Sequence, residues 1–311
     1  MSRIAVIALG GGTILGPAQQ GSAEDQRKNL KATCDRLVGL VVDGWRLLLT
    51  HGNGPQVGNI ILQNEHARTL VPPMPVDVCG AESQGQVGYL LQTALENALR
   101  ACGLQQRVAC VVTRVLVDDS DPSFITPEKA VGPLYTAAKA MDLMRRGMAM
   151  KEGERGWRQV VPSPRPLQVL ETPIIRDLLD KEYIVIAAGG GGVPVGRSDD
   201  GALHGVGAVV EKDLTTSLLA AELHADLLVY LTDVPHVVLH TGDEPVEIKR
   251  LTLAQARHLA GTALPRHSMG VKVEAAAQFV DERGKTVIIT DSDHLAEAVN
   301  GHGGTCIVAG T

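Results

Sequence analysis

The sequence predicts an α/β fold, and three observations predict it. Short apolar runs alternate with longer amphipathic segments, several of those runs are unbroken, and glycine clusters stand at the ends of three of them. Unbroken apolar strands belong to sheets covered on both faces. Residues 4–9, 46–50, 108–115, 184–188, 227–231, 287–290 and 305–308 read as strands. Apolar residues at helical spacing mark 25–40, 83–99, 214–223 and 269–282 as the covering helices.

One segment breaks the rhythm. Residues 118–166 carry Pro122, Pro127, Pro133, Pro162, Pro164 and Pro166, with a charged stretch that includes Lys151, Glu152, Glu154 and Arg155. It is too long for a simple connection and reads as an excursion from the sheet, of the kind that forms lids or binding elements. A plain surface decoration is the competing reading.

Length and composition narrow the function. A chain of 311 residues, 44% hydrophobic and 21% charged, suits a globular protein of one large α/β unit or two ordinary domains. Aromatics are 3%, and 29 Lys and Arg stand against 35 Asp and Glu for a net charge of −6, which argues against a nucleic-acid surface. No apolar run approaches the roughly 20 residues of a membrane span, and the first run is strand-length and passes straight into Gly10, unlike a secretion signal. The five cysteines, Cys34, Cys79, Cys102, Cys110 and Cys306, lack zinc spacing and read as reduced thiols in a cytoplasmic protein, Cys110 and Cys306 as small buried hydrophobes within strands.

The chemically informative feature is where the glycines fall. Strands end in Gly10-Gly11-Gly12-Thr13, in His51-Gly52-Asn53-Gly54-Pro55 and in Gly189-Gly190-Gly191-Gly192-Val193-Pro194. In an open parallel sheet these are carboxyl ends, where ligands bind. Without Cβ atoms, backbone N–H groups can approach an anion, and helices starting just beyond would aim their positive ends at it. Three such turns predict a phosphate in a shared crevice. The spelling excludes a Walker loop, a dinucleotide fingerprint and a nucleophile elbow: Gly284-Lys285-Thr286 has Phe279 at the first glycine position, and no G-x-S-x-G occurs.

An anion in a negatively charged protein needs local cations. Lys212 and Lys272 fall at predicted helix beginnings, an adverse place for a cation unless an anion is near, and Lys129 lies in the excursion. Isolated lysines are ordinarily just solvated. Asp213 either caps a helix or orients the lysines.

Longer words in the sequence carry a resemblance: His51-Gly52-Asn53-Gly54-Pro55-Gln56-Val57-Gly58-Asn59, Ala81-Glu82-Ser83-Gln84-Gly85, Arg155-Gly156-Trp157-Arg158 through Val160-Val161-Pro162-Ser163-Pro164, the 189–194 turn and Glu211-Lys212-Asp213. In these words, in order and over essentially its whole length, the chain resembles the carbamate kinases of the amino acid kinase superfamily. The resemblance implies a three-layer α/β/α sandwich with a mostly parallel sheet over 1–311, with 1–117 and 167–204 as the acceptor half, 118–166 as a small protruding subdomain and 205–311 as the nucleotide half. It implies reversible phosphoryl transfer between ATP and carbamate, Mg²⁺ carried with ATP or ADP, and a cytoplasmic homodimer. Lys129, Lys212, Asp213 and Lys272 become the catalytic set. Gly10, Gly11, Gly12, Gly52, Asn53, Gly54, Gly190 and Gly191 become the substrate loops, and Lys212, Thr232, Asp233, Val234, Ser268, Met269 and Lys272 the nucleotide side. The chemistry agrees, since an ionised carbamate needs positioning and charge neutralisation more than a base, so His51 reads as a structural or substrate-orienting residue.

The chain also departs from the family pattern. Gly12 stands where the family has an asparagine, removing a donor worth on the order of 3 kcal/mol at an oxyanion unless another group, such as the Thr13 hydroxyl, replaces it. Arg266 and His267 replace Pro-Gly before Ser268, Val271 replaces a proline, and Arg114 stands where glutamine is usual. Two other readings follow: a kinase for another small carboxylate or carbamate-like acceptor, and a feeble paralogue that binds nucleotide or carbamoyl phosphate as a sensor.

Overall fold

Successive residues of a strand face opposite sides, and the central strands bury both. Val6 and Ala8 pack with Tyr230 and Phe279 in one apolar cluster, whereas Ile7 and Leu9 pack with Leu37 and Leu91 in the other. The computed structural model describes residues 3–16, 19, 21–153, 156–240, 245–265 and 268–310. The sequence features at Glu154, Arg155, Arg266 and His267 lie outside the described residues.

The main sheet runs Arg250–Thr252, Thr305–Val308, Val287–Thr290, Leu227–Leu231, Ile4–Leu9, Arg46–His51, Ile184–Ile186, Val108–Cys110. Helices Ala23–Val42 and Val76–Ala101 cover one face; Thr172–Asp180, Lys212–Glu222, Leu253–Thr262 and Met269–Arg283 cover the other. This is a three-layer α/β/α sandwich. Neighbouring strands are parallel except Val287–Thr290 against Thr305–Val308, which pair antiparallel and so need no crossover. Four central strands, ending at Leu9, His51, Ile186 and Leu231, therefore deliver their carboxyl ends to one edge.

Several predicted elements change. The strand expected over 108–115 breaks into Val108–Cys110 in the main sheet and Arg114–Leu116 in a second, four-stranded sheet. The cause is Thr113, whose backbone N–H and C=O bond the Gln84 side chain at 2.9 and 3.1 Å while its carbonyl also accepts from Val193 N. The strand expected over 184–188 stops at Ile186, because Ala188 turns left-handed (φ 50°) into the glycine run. Helix Gly54–Ala67, expected only as a helix start beyond the second glycine turn, does not show in the apolar spacing, since its buried face includes Gln56 and Gly58 and its apolar stripe is thin. Cys34 and Cys79 are the fully buried thiols, and burial raises them to about 12 and about 11; Cys110 and Cys306 are only partly buried.

Within 118–166, strands Lys129–Tyr135, Gly156–Val161 and Met150–Gly153 form an antiparallel sheet of their own, with helix Ala137–Arg145 beside it. It meets helix Gly54–Ala67 closely: a Cβ on Gly58 would lie 3.0 Å from the Gly132 Cα. Arg146 adds an ion pair to Glu65 at 2.8 Å.

Candidate active site

All three glycine turns meet. The first runs from Gly10 into a single 3-10 turn, Gly11–Thr13; a Cβ on Gly52 in the second would lie 3.4 Å from Gly11 N. In the third, Cβ atoms on Gly189 and Gly190 would overlap the His51 ring and the Asn53 amide, both from the second turn. A Cβ on Gly191 would lie 2.6 Å from the Val210 carbonyl oxygen and 3.2 Å from Lys212 N, and Gly191 holds φ +93°. That conformation and a backbone neighbour leave only glycine there.

The helix geometry differs from expectation at two turns. Only the second glycine cluster opens directly into an α-helix, Gly54–Ala67. The Gly189–Gly191 turn continues into strand Val193–Arg197, and the amino end that faces it belongs to Lys212–Glu222. The positive helix end is supplied across the fold rather than along the chain.

That helix brings the lysines together. Lys212 opens it, Lys272 lies in the first turn of Met269–Arg283, and Asp213 sits buried between them. Lys212 Nζ donates to Asp213 Oδ1 at 2.6 Å and Lys272 Nζ to Oδ2 at 3.0 Å. Burial alone would raise the Asp213 pKa, but the two ammonium groups and their hydrogen bonds hold it down at about 2. Burial, with Lys272 helping, lowers Lys212 against the pull of Asp213. Asp213 thus orients lysines with its side chain; the residue preceding the helix is Glu211, which gives no side-chain cap.

Buried hydroxyls fix this turn of helix in place. Tyr230, under Lys212 in the central strand, donates from its hydroxyl to the Asp213 carbonyl at 2.9 Å. Thr216 donates to the Lys212 carbonyl at 2.8 Å and shares a 2.8 Å hydrogen bond with Thr50, and Thr215 donates to the Gly191 carbonyl at 2.9 Å. Lys129, opening the first subdomain strand, reaches across to the carboxylate of Glu211.

The remaining predicted residues divide. Thr232 and Asp233 follow strand Leu227–Leu231 beside the first turn: a Cβ on Gly10 would lie 3.6 Å from Thr232 Cα, and one on Gly12 would overlap the Asp233 carboxylate. Val234 follows as an exposed side chain. Ser268 and Met269 start the helix that carries Lys272. Thr13 does not replace the missing asparagine donor, because its hydroxyl is spent on the Gly10 carbonyl at 2.6 Å. Arg114 is held by Glu171, from its backbone N–H at 2.7 Å and its Nε at 2.8 Å.

His51 is buried, with its Nδ1 hydrogen-bonded to the Gly52 carbonyl at 2.9 Å, and Asn53 donates to Ser83 Oγ at 2.7 Å. Burial lowers the His51 pKa to about 4 against that hydrogen bond, with Lys212 adding to the fall. A neutral, locked imidazole is a structural part of the turn. Glu211, Ser83, Gln84 and Thr113 escaped assignment although three of them stand in the words that carried the resemblance; their partners lie far off in sequence.

Fold and edge together fit a class, the α/β phosphotransferases, whose chemistry calls for amide-lined turns and clamped lysines of this kind. Residues 3–291 match the Amino acid kinase family. A carbamate kinase of Thermococcus kodakarensis is 41% identical over 316 residues, covering 99% of each chain, and one of Pyrococcus furiosus is 40% identical over 320 residues, covering 99% of this chain and all of its own. The solved carbamate kinase of Giardia lamblia bound to AMP-PNP superposes with a TM-score of 0.93 at 40% identity, covering 99% of each chain. The chain belongs to the amino acid kinase family, and these full-length relatives are its carbamate kinases.

Two outcomes follow from the geometry. Native His51 resists protonation that the unfolded chain accepts near pH 6.5, so stability present above that pH is lost as pH falls toward 4, by a few kcal/mol at most. Urea unfolding across pH 4 to 7 is expected to show this acid-side loss reduced in His51→Asn relative to its own neutral-pH value; equal slopes would remove His51 as its source. Gly12→Asn needs only the exposed Asp233 carboxylate to swing aside, so the expected cost is under about 1 kcal/mol, with carbamate turnover unchanged or raised. A loss beyond about 3 kcal/mol in the same unfolding measurement would mean that the Asp233 side chain is fixed.

Proposed function

We propose that the protein is a carbamate kinase that transfers a phosphoryl group reversibly between ATP and carbamate, giving ADP and carbamoyl phosphate. The observation that carries this reading is the buried carboxylate of Asp213 clamping Lys212 and Lys272 where the three glycine turns converge. A carbamate oxygen attacks the γ-phosphorus in line, and the charge that spreads over the equatorial oxygens meets Lys212, Lys272 and, from the subdomain, Lys129. Backbone N–H groups of the glycine turns orient the two anions, with Gly10, Gly11, Gly52, Asn53, Gly54, Gly190 and Gly191 on the acceptor side. Thr232, Asp233, Val234, Ser268 and Met269 form the nucleotide side of this reading; that such enzymes take a nucleotide is supported by the Giardia lamblia relative bound to AMP-PNP.

The donors fit Mg²⁺ that arrives on the nucleotide. Both Asp213 oxygens accept from lysines, and among the described residues no cluster of three metal-ligating side chains occurs. Asp233, at the first turn and paired with no cation among the described residues, is the carboxylate that would face such an ion. When bound, the ion supplies charge neutralisation at phosphate oxygens, leaving orientation to the protein.

We further propose that the enzyme runs toward ATP in catabolism, including that of arginine, as a cytoplasmic homodimer; no described helix is long and apolar enough to cross a membrane. A kinase for another small carboxylate is the second reading, and it draws on Gly12, where a side chain is missing from the acceptor side. The sensor reading leaves the net positive cluster of Lys129, Lys212, Asp213 and Lys272 without a task.

With ADP, Mg²⁺ and carbamoyl phosphate, a coupled luciferase assay is expected to record ATP far above the spontaneous rate. Nucleotide binding by calorimetry without ATP formation would hand the site to one of the other two readings. Lys212→Ala is expected to lose at least 100-fold in kcat with an unchanged circular dichroism spectrum; near-wild-type turnover would take Lys212 out of the mechanism.

A further inference from the structure

Two acids separated by a single residue serve different lysines. Asp213 is used up by Lys212 and Lys272, whereas Glu211, just outside the helix, turns to the subdomain and accepts from Lys129 Nζ. The two side chains retain 25% and 20% exposure, so this is a mostly desolvated pair rather than a surface contact. It is also the contact that fixes the Lys129 ammonium. Other contacts between subdomain and body include Gly132 against Gly58, Pro162 O accepting from Val209 N at 3.0 Å, and the ion pairs of Arg146 with Glu65, Arg165 with Glu274 and Asp119 with His204, none of which involves the Lys129 side chain. These place the strand that begins at Lys129 but leave four rotatable bonds between its backbone and its charge.

We propose that Glu211 is a positioning residue, which holds the Lys129 ammonium beside Lys212 before an anionic substrate arrives. The proposal rests on the phosphoryl-transfer reading of this site. An ammonium has three N–H donors; one goes to Glu211, and two remain for phosphate oxygens. The subdomain's charge is thus delivered at a fixed point, and the ordering entropy of a long side chain is lost on folding rather than on binding. Glu211 itself touches no reacting atom. It does for Lys129 what Asp213 does for the other two lysines.

The test is Glu211→Gln, which keeps the shape and removes the charge. KM for carbamoyl phosphate is expected to rise roughly tenfold, with KM for ADP moving less than about twofold, and Glu211→Asp is expected to recover part of the loss. Lys129→Met is expected to be at least as damaging, and the double variant no worse than Lys129→Met alone. Without ligand, amide hydrogen exchange over residues 129–135 is expected to be several-fold faster in Glu211→Gln and to return to the wild-type rate with saturating carbamoyl phosphate. Losses that add in the double variant, both KM values rising together with a lower melting temperature, or unchanged exchange over 129–135 would each overturn the proposal. If the wild-type protein makes no ATP, the function reading fails by itself; the exchange comparison, with inorganic phosphate as the added anion, still decides the role of Glu211.

Discussion

The site depends on one buried carboxylate holding two ammonium groups apart from water. Lys212 and Lys272 each stand in the first turn of a helix, where the macrodipole opposes a positive charge. Asp213 offsets both at once, and its own depressed pKa is the counterpart of that work. With Lys129 and Glu211 included, three ammonium groups face two carboxylates. The surplus is positive and sits at two helix ends. In the proposed function, an arriving phosphate completes a charge balance that the folded chain leaves open, in a place too dry for water to screen it. Removing one member of such a cluster costs more than a surface ion pair would suggest, because the others stay buried without a partner.

Holding that arrangement requires the backbone around Asp213 to be immobile, and the sheet supplies this through hydroxyls. Tyr230, Thr50 and Thr216 lie on or against the central strands, fully buried, with their hydroxyls turned to the first turn of the lysine helix or to one another. The apolar sandwich is thus rigidly joined to a polar edge by a few satisfied hydrogen bonds. The glycines have a second use beyond exposing amides. At 189, 190 and 191 the missing side chains are the room taken by His51, Asn53 and the Val210 carbonyl, so the three turns interlock. Amide exposure and close packing are one requirement seen from two sides.

Much of this was legible in the sequence, for identifiable reasons. The strands ending at Leu9 and Leu231 are unbroken apolar runs and keep their predicted bounds. The convergence of the glycine clusters follows from parallel strands sharing an edge, and the misplaced charges of Lys212 and Lys272 pointed to an anion. What stayed hidden involves partners remote in sequence. The break at Thr113 is made by Gln84, the orientation of Lys129 by Glu211, and the neighbour of Gly12 is Asp233; local pattern contains none of these pairings. Helix Gly54–Ala67 was hidden differently, since its inward face sets Gly58 against the subdomain and Gln56 against Gln26 of helix Ala23–Val42 rather than presenting a stripe of leucine.

The first turn shows how a departure from a family pattern redistributes labour. With glycine at 12 and the Thr13 hydroxyl bonded inside the loop, the turn has only backbone N–H groups to give an oxyanion. Asp233 leans into the vacated space and brings a negative charge with it. In the proposed mechanism both changes make the loop a poorer stabiliser of phosphoryl charge by itself, so a larger share falls to the lysines and to the cation proposed to accompany the nucleotide. Two of those lysines are fixed by the body of the protein, while the third stands on a separate small sheet. The accuracy with which that sheet presents Lys129 therefore matters more here than it would beside a loop with a full set of donors, and a dedicated acid at 211 is the kind of feature such a loop demands.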